Sequence, residues 1–353
     1  MKNSLKLLTV LLLISNFNFG QDISQKIDSI IKSTYENNPN IGISVGFINN
    51  NEEFYTAYGK LNKESQIDIN KNTIFELGSI TKVLTSNLIA QAVIENKLNL
   101  NDFIDDYLPK QYVLNKNLMH KIKISDLASH QSGLPDLDLR KLVKLNPQQY
   151  VSTVTKNTLS IMINNCSELT DYGIYRYNNL SYALLGQILE NIYNKSYDEI
   201  IHEKIINPLQ LSNTLTKNFN VKHITTGHNP RGGNQELVKW NDFIAPAGLV
   251  KSNASDMIIF LKAVLNQEHT IAKAAMITEK IFYKDENREV GLGTWMITDE
   301  SNTVYIKLGS SLGQSSIMFY NRDKNWGIII LLDQGNSKLR EKLYNDIYET
   351  VLK

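Results

Sequence analysis

The stretch Phe75-Glu76-Leu77-Gly78-Ser79-Ile80-Thr81-Lys82 decides how the chain is read. Beyond it, Val83, Leu84, Leu88, Ala92 and Ile94 recur at helical spacing, with no Gly or Pro before Asn96, which predicts an amphipathic helix. Ser79 then lies at the helix N-terminus, where unpaired backbone N–H groups and the macrodipole favour developing negative charge. Lys82, three residues on, falls on the same face one turn away. A hydroxyl beside an amine at the positive end of a helix is an arrangement that makes a serine nucleophilic. The plainer reading is an N-cap serine followed by a surface lysine. A second Ser-x-x-Lys, from Ser29 to Lys32, shows how little the spacing alone means. It lies inside the helical run Ile23, Ile27, Ile30, Ile31, where no helix begins, and reads as coincidence.

Two further groups bear chemistry. Tyr177-Asn178-Asn179 opens another helical run through Tyr182, Leu184, Leu185, Ile188, Leu189 and Ile192, so Tyr177 and Asn179 also sit where a loop enters a helix. A free tyrosine, with a pKa of about 10, is a poor base at neutral pH, and two flanking ammonium groups would lower that value. Lys82 supplies one. Lys307-Leu308-Gly309 offers the other, at the end of a strand where Gly309 would let a substrate approach the backbone. The plainer alternatives are a core aromatic at Tyr177 and a solvated charge at Lys307.

Composition narrows the classes. The 353 residues can bury one large core or two. Lys and Arg total 37 against 36 Asp and Glu, so no charge excess argues for nucleic acid or an anionic membrane. The single Cys166 excludes an internal disulfide and a multi-cysteine metal site. The six histidines show neither His-Glu-x-x-His nor His-x-His spacing. His130 reads as a structural hydrogen-bonder rather than a base.

Residues 1–20 read as an export signal. Lys2 and Lys6 precede the apolar run Leu7 to Ile14, which is too short to span a bilayer, and cleavage is expected before Gln21. No cysteine is available there for a lipid anchor. A periplasmic or secreted protein without a stable membrane span is the expectation.

Strand periodicity occupies both ends of the remaining chain. Ile41, Ile43, Val45 and Phe47 alternate, and Phe54 to Tyr58 returns after Asn49-Asn50-Asn51. Strand signals resume at Gly293–Thr298, Thr303–Lys307, Ser315–Tyr320 and Trp326–Leu332, before a closing helix over Ser337–Leu352. The region between is mostly helical. The reading is an α/β (α+β) fold, with one antiparallel sheet built from both chain ends and flanked by helices. Residues 21–98 and 288–353 would form the sheet part, and 99–287 a mostly helical inserted domain.

The ordered set Phe-Glu-Leu-Gly-Ser-x-x-Lys, Tyr-x-Asn and Lys-x-Gly resembles the serine β-lactamase and penicillin-binding-protein superfamily, in its class C β-lactamase branch. Leu127–Pro135, Asn207–Thr214, Ala245–Leu249 with Ala254–Met257, and Gly291–Trp295 agree in order. The resemblance implies Ser79 as the acylated nucleophile, with Lys82 and Tyr177 sharing proton transfers. It implies Asn179, Lys307, Gly309 and Ser310 as substrate-binding residues, with the backbone N–H groups of Ser79 and Ser310 as the oxyanion hole. No metal or organic cofactor is implied, and the expected partner is a small β-lactam or a peptidoglycan-derived peptide or ester, acted on by a monomer. Four activities fit: a β-lactamase, a D-alanyl-D-alanine carboxypeptidase or endopeptidase, a small-acyl esterase or amidase, and a penicillin-binding sensor without turnover. The sequence departs from the pattern at Leu308, where a hydroxyl residue is usual. On this reading a hydrogen bond to the substrate carboxylate is lost, and Leu308→Thr would restore it. Gln314 stands where relatives often carry an aromatic, and Thr81 replaces a smaller residue.

Overall fold

Successive residues of a strand point to opposite faces of its sheet, and both faces here are apolar. In the run Trp326–Leu332, Ile328, Ile330 and Leu332 join one buried cluster while Ile329 and Leu331 join another. Such a strand can only be central, with a layer of helices on each side. The computed structural model describes residues 22–299 and 302–352 and has this arrangement. The export signal read over residues 1–20 lies outside the described residues.

The strands of the main sheet are β1 (Ile43–Asn49), β2 (Glu52–Tyr58), β7 (Tyr283–Lys284), β8 (Glu289–Val290), β9 (Trp295–Asp299), β10 (Asn302–Ser310), β11 (Ser315–Asn321) and β12 (Trp326–Leu332). Their order is β2-β1-β12-β11-β10-β9-β8-β7, antiparallel throughout. β1 and β12 pair with Ile43 opposite Leu332, so the two chain ends meet inside the sheet, one strand in from its β2 edge. Two small antiparallel pairs stand apart: β3 (Phe75–Glu76) with β6 (Lys251–Ser252), and β4 (Gly227–His228) with β5 (Asn234–Gln235).

The helices are α1 (residues 22–36), α2 (Thr81–Ile94), α3 (Ile124–Ala128), α4 (Leu139–Leu145), α5 (Lys156–Asn164), α6 (Asn179–Tyr193), α7 (Tyr197–Ile201), α8 (Ala245–Gly248), α9 (Ala254–Leu265), α10 (Thr270–Thr278) and α11 (Ser337–Ile347). Helices α1 and α11 cover one sheet face through Ile27, Ile31, Leu339 and Leu343. On the other face α9 packs against β1 and β12, and α2 lies among α6, α8 and α10. Helix α9 falls within the 99–287 stretch yet lies directly on the sheet.

Two expectations change. Helix α2 is not amphipathic: every residue from Thr81 to Ala92 is buried, polar ones included, because α2 is enclosed on all sides. The apolar spacing marked a helix but not a solvent face. Leu308 is the second correction. Lys307 faces the α2 side, so its neighbour Leu308 faces the other, where it packs on the α1/α11 cluster. A hydroxyl at this position would point away from the Ser79 side of the sheet. Leu308→Thr is therefore predicted to lower stability by about 1–2 kcal/mol in urea denaturation, through lost apolar contact, rather than to improve substrate recognition.

Candidate active site

Glu76 and Leu77 hold the turn that carries Ser79. Glu76 N donates to Gln314 Oε1 at 2.8 Å and Leu77 N to Val250 O at 3.1 Å. The Leu77 carbonyl accepts from Ser316 Oγ at 2.8 Å. The Glu76 carboxylate accepts from Val238 N at 2.7 Å and lies 3.5 Å from Lys251 Nζ, with both side chains buried. Gly78 follows with φ +51°, a left-handed conformation that glycine enters without strain. A Cβ on Gly78 would stand 2.6 Å from Ser310 N, so the Ser310 backbone rests directly on this turn.

A 3₁₀ turn over Gly78–Ile80 leads into α2, and the Ser79 side chain caps neither element. Its hydroxyl instead receives Tyr177 OH at 2.5 Å and lies 3.4 Å from Lys82 Nζ. The surface-cap reading of Ser79 therefore fails, and so does the surface-lysine reading of Lys82, which is 0% exposed. Ser29 and Lys32, by contrast, are both exposed on α1.

Lys82 Nζ donates to Asn179 Oδ1 at 2.9 Å and to the Ala247 carbonyl of α8 at 2.5 Å. It lies 4.8 Å from the Tyr177 ring centroid, and Lys307 Nζ lies 5.4 Å from the same centroid. Ser79, Lys82, Tyr177, Asn179, Lys307 and Ser310 thus converge from α2 and the 3₁₀ turn before it, from α6 and the loop before it, and from β10. Gly309 is the exception. A Cβ there would come within 2.1 Å of the Leu77 carbonyl and 2.2 Å of Ser316 Oγ, so what the glycine admits is the turn that carries Ser79 rather than a substrate.

The electrostatics invert one expectation. Two ammonium groups were to lower the Tyr177 phenol; instead burial raises it, and the hydrogen bond with Ser79 only partly offsets this. The lysines yield instead. Burial, then the neighbouring Lys307, push Lys82 well below the ordinary lysine range, with Asp136 acting in the opposite direction. Lys307, 3% exposed and without an ion-pair partner among the described residues, is pushed down to about 7 by burial. The burial that raises Tyr177 is that of its hydroxyl, which meets Ser79; the residue as a whole keeps 38% of its surface open to solvent, so the site is accessible from this side.

His130 lies behind Tyr177, with ring centroids 4.5 Å apart. Its Nδ1 accepts from Asn178 N at 3.2 Å, and burial followed by Lys307 and Lys82 holds it well below the usual imidazole range. It is a neutral support, as its sequence context suggested. Gln314, in the aromatic position, ties Glu76 to Thr225. Thr81 Oγ1 accepts from Val250 N at 3.3 Å.

Sequence reasoning missed two partners. The Ala247 carbonyl is a backbone atom within a quoted segment and gives no side-chain signal. Asp136 follows Leu134-Pro135 directly, but it acts on a helix that begins forty-three residues later, at Asn179.

Burying Lys307 has a measurable cost. An unfolded lysine titrates near 10.4, so between about pH 7 and 10 the unfolded chain binds more protons than the folded one. This group therefore makes the protein more stable as pH rises through that window, and its penalty is full below it. Lys307→Met should stabilise the fold by on the order of 1–3 kcal/mol at pH 6, with the gain shrinking toward pH 10 in urea denaturation.

The Beta-lactamase family model matches residues 27–351. Protein flp of Staphylococcus aureus (strain MW2) is 24% identical over 331 residues, which are 91% of this chain and 65% of that protein. The chain thus spans about two thirds of the length of this curated relative. Among solved structures, a beta-lactamase/D-alanine carboxypeptidase from Pseudomonas syringae superposes with a TM-score of 0.81 at 20% identity, covering 94% of this chain and all of that one. A class C beta lactamase from Rhodobacter sphaeroides gives 0.78 at 19% identity, over 93% and 99%. With the family model covering nearly the whole chain and the same fold in both structures, this protein belongs to the beta-lactamase family.

Proposed function

We propose that the protein is an exported serine hydrolase that forms an acyl-enzyme on Ser79, with a β-lactam amide as its substrate. The observation that carries this reading is the contact of one hydroxyl, Ser79 Oγ, with both a phenol and a desolvated amine.

Hydrogen-bond accounting favours a neutral Lys82 as the base. A neutral amine has two N–H bonds and one lone pair. Asn179 Oδ1 and the Ala247 carbonyl take the two N–H bonds, which leaves the lone pair for Ser79. Tyr177, held neutral by burial, donates to the other side of the same oxygen. As Ser79 Oγ bonds to the substrate carbonyl carbon, its proton passes to Lys82. The backbone N–H groups of Ser79 and Ser310 receive the oxyanion. When the C–N bond breaks, Tyr177 gives its proton to the leaving nitrogen and regains one from Lys82. Water then attacks the ester, and its proton returns to Ser79 Oγ by the same groups.

Lys307 would take the substrate carboxylate, since its ammonium has no ionic partner of its own among the described residues. Beyond Ile306, β10 has lost its pairing with β9, so the Lys307–Ser310 backbone can receive an extended substrate. Asn179 would meet the substrate's side-chain amide. A peptidase acting on D-alanyl-D-alanine is the second reading. It is favoured by this open strand edge and by the Pseudomonas syringae structure, whose name carries both activities. Export rests on residues 1–20 and is part of the proposal.

The mature protein should turn over a chromogenic cephalosporin, and Ser79→Ala should reduce this by at least about a thousandfold. Intact-mass measurement should show a transient acyl adduct. A stable adduct without turnover would favour the sensor, and acylation by a stem peptide or a p-nitrophenyl ester alone would favour the peptidase or esterase.

A further inference from the structure

The N-terminus of α6 is closed by side chains. Asn178 Oδ1 accepts from Ser181 N at 2.7 Å. Asp136 Oδ1, arriving from the loop after α3, accepts from Asn179 N at 2.7 Å and from Leu180 N at 3.0 Å. The loop is itself tied down, because Asn178 Nδ2 donates to the Leu134 carbonyl at 2.9 Å. The second carboxylate oxygen, Asp136 Oδ2, faces Asn179 Nδ2 at 3.4 Å. The opposite end of the same amide, Asn179 Oδ1, accepts from Lys82 Nζ.

A side-chain amide has a donor end and an acceptor end, and its neighbours decide which way it lies. Turned over, Asn179 would set its carbonyl against the Asp136 carboxylate and its NH₂ against the lysine N–H. Both contacts would be repulsive. The carboxylate therefore selects the orientation in which Lys82 donates to Asn179.

The charges around Lys82 give Asp136 a second effect. Lys307 faces it from β10, and the Tyr177 and Tyr182 rings lie 4.8 and 5.3 Å from its ammonium. His130 beyond them is neutral, and α8 contributes only the Ala247 carbonyl. Against these, Asp136 is the carboxylate that favours the protonated amine.

We propose that Asp136 is a positioning residue for acyl transfer: its carboxylate, bound to the first turn of α6, orients the Asn179 amide and sets a negative charge one side chain away from Lys82. Its kinetic consequence rests on the reading of Ser79 as the nucleophile. Without that charge the Lys82 amine is a weaker base, and proton uptake from Ser79 slows.

Asp136→Asn separates charge from capping, because the amide oxygen can still accept from Asn179 N and Leu180 N. The test uses full-length protein carrying ¹³C at lysine Cε, with the Lys82 signal identified by its loss in Lys82→Met. In Asp136→Asn the Lys82 titration should move to lower pH while Tm stays within roughly 3 °C of wild type. Asp136→Glu should bring the titration back toward wild type. Single-turnover acylation by a p-nitrophenyl ester should be about tenfold slower in Asp136→Asn. An unchanged Lys82 titration in Asp136→Asn would overturn the proposal and reduce Asp136 to a helix cap. Failure of the ester to acylate wild type would count against the esterase chemistry of Ser79, while the titration would still decide the role of Asp136.

Discussion

Two lysines share one water-poor pocket, and the rest of the site follows from that constraint. Lys82 and Lys307 have little access to solvent, and neither forms an ion pair among the described residues. Water would solvate an ammonium group far better than this pocket does, so both amines are driven toward neutrality. A neutral amine can accept a proton at ordinary pH, which a surface lysine cannot. The same burial keeps the Tyr177 phenol protonated, so it serves as a proton donor beside Ser79 rather than as a phenolate.

The fold supplies the rigidity such a pocket requires. A buried polar group costs least when its partners are held in place. Here the partners come from distant parts of the chain: Ala247 from α8, Asn179 from α6, and Ser310 from the end of β10. Each is anchored separately. Helix α2 is enclosed on all sides, and the buried Glu76–Lys251 pair ties the turn before Ser79 to β6 and Val238. Gly78 and Gly309 allow β10 to lie against that turn at backbone distance.

Much of this arrangement could be read from the residues. Strand signals located β1, β2 and β9 to β12 within a few residues, β1 through alternation and β12 through a continuous apolar run of strand length. The Ser79 helix and the loop–helix junction at Tyr177 were recognisable from helical spacing, whereas the strand expected to end at Lys307 runs on to Ser310. What escaped was whatever depends on distance in space. The apolar spacing of α2 could not reveal that its polar side is also covered. The face on which Leu308 lies depends on the position of β10 within the sheet, and the partner of Gly309 on a turn more than two hundred residues away. The balance at Tyr177 was misjudged because burial acts on the phenol and on the lysines at once, and no motif encodes burial. Asp136 shows no local sign of its role, since the helix it caps begins on another segment.

The central claim is that burial makes Lys82 a base well below the ordinary lysine range, and the pH dependence of wild-type acylation by a neutral p-nitrophenyl ester tests it most directly. In single-turnover measurements the rate should reach its plateau well before about pH 10, because the amine loses its proton well below the ordinary lysine range. A rate that climbs steadily to about pH 10, as for a solvated lysine, would contradict it.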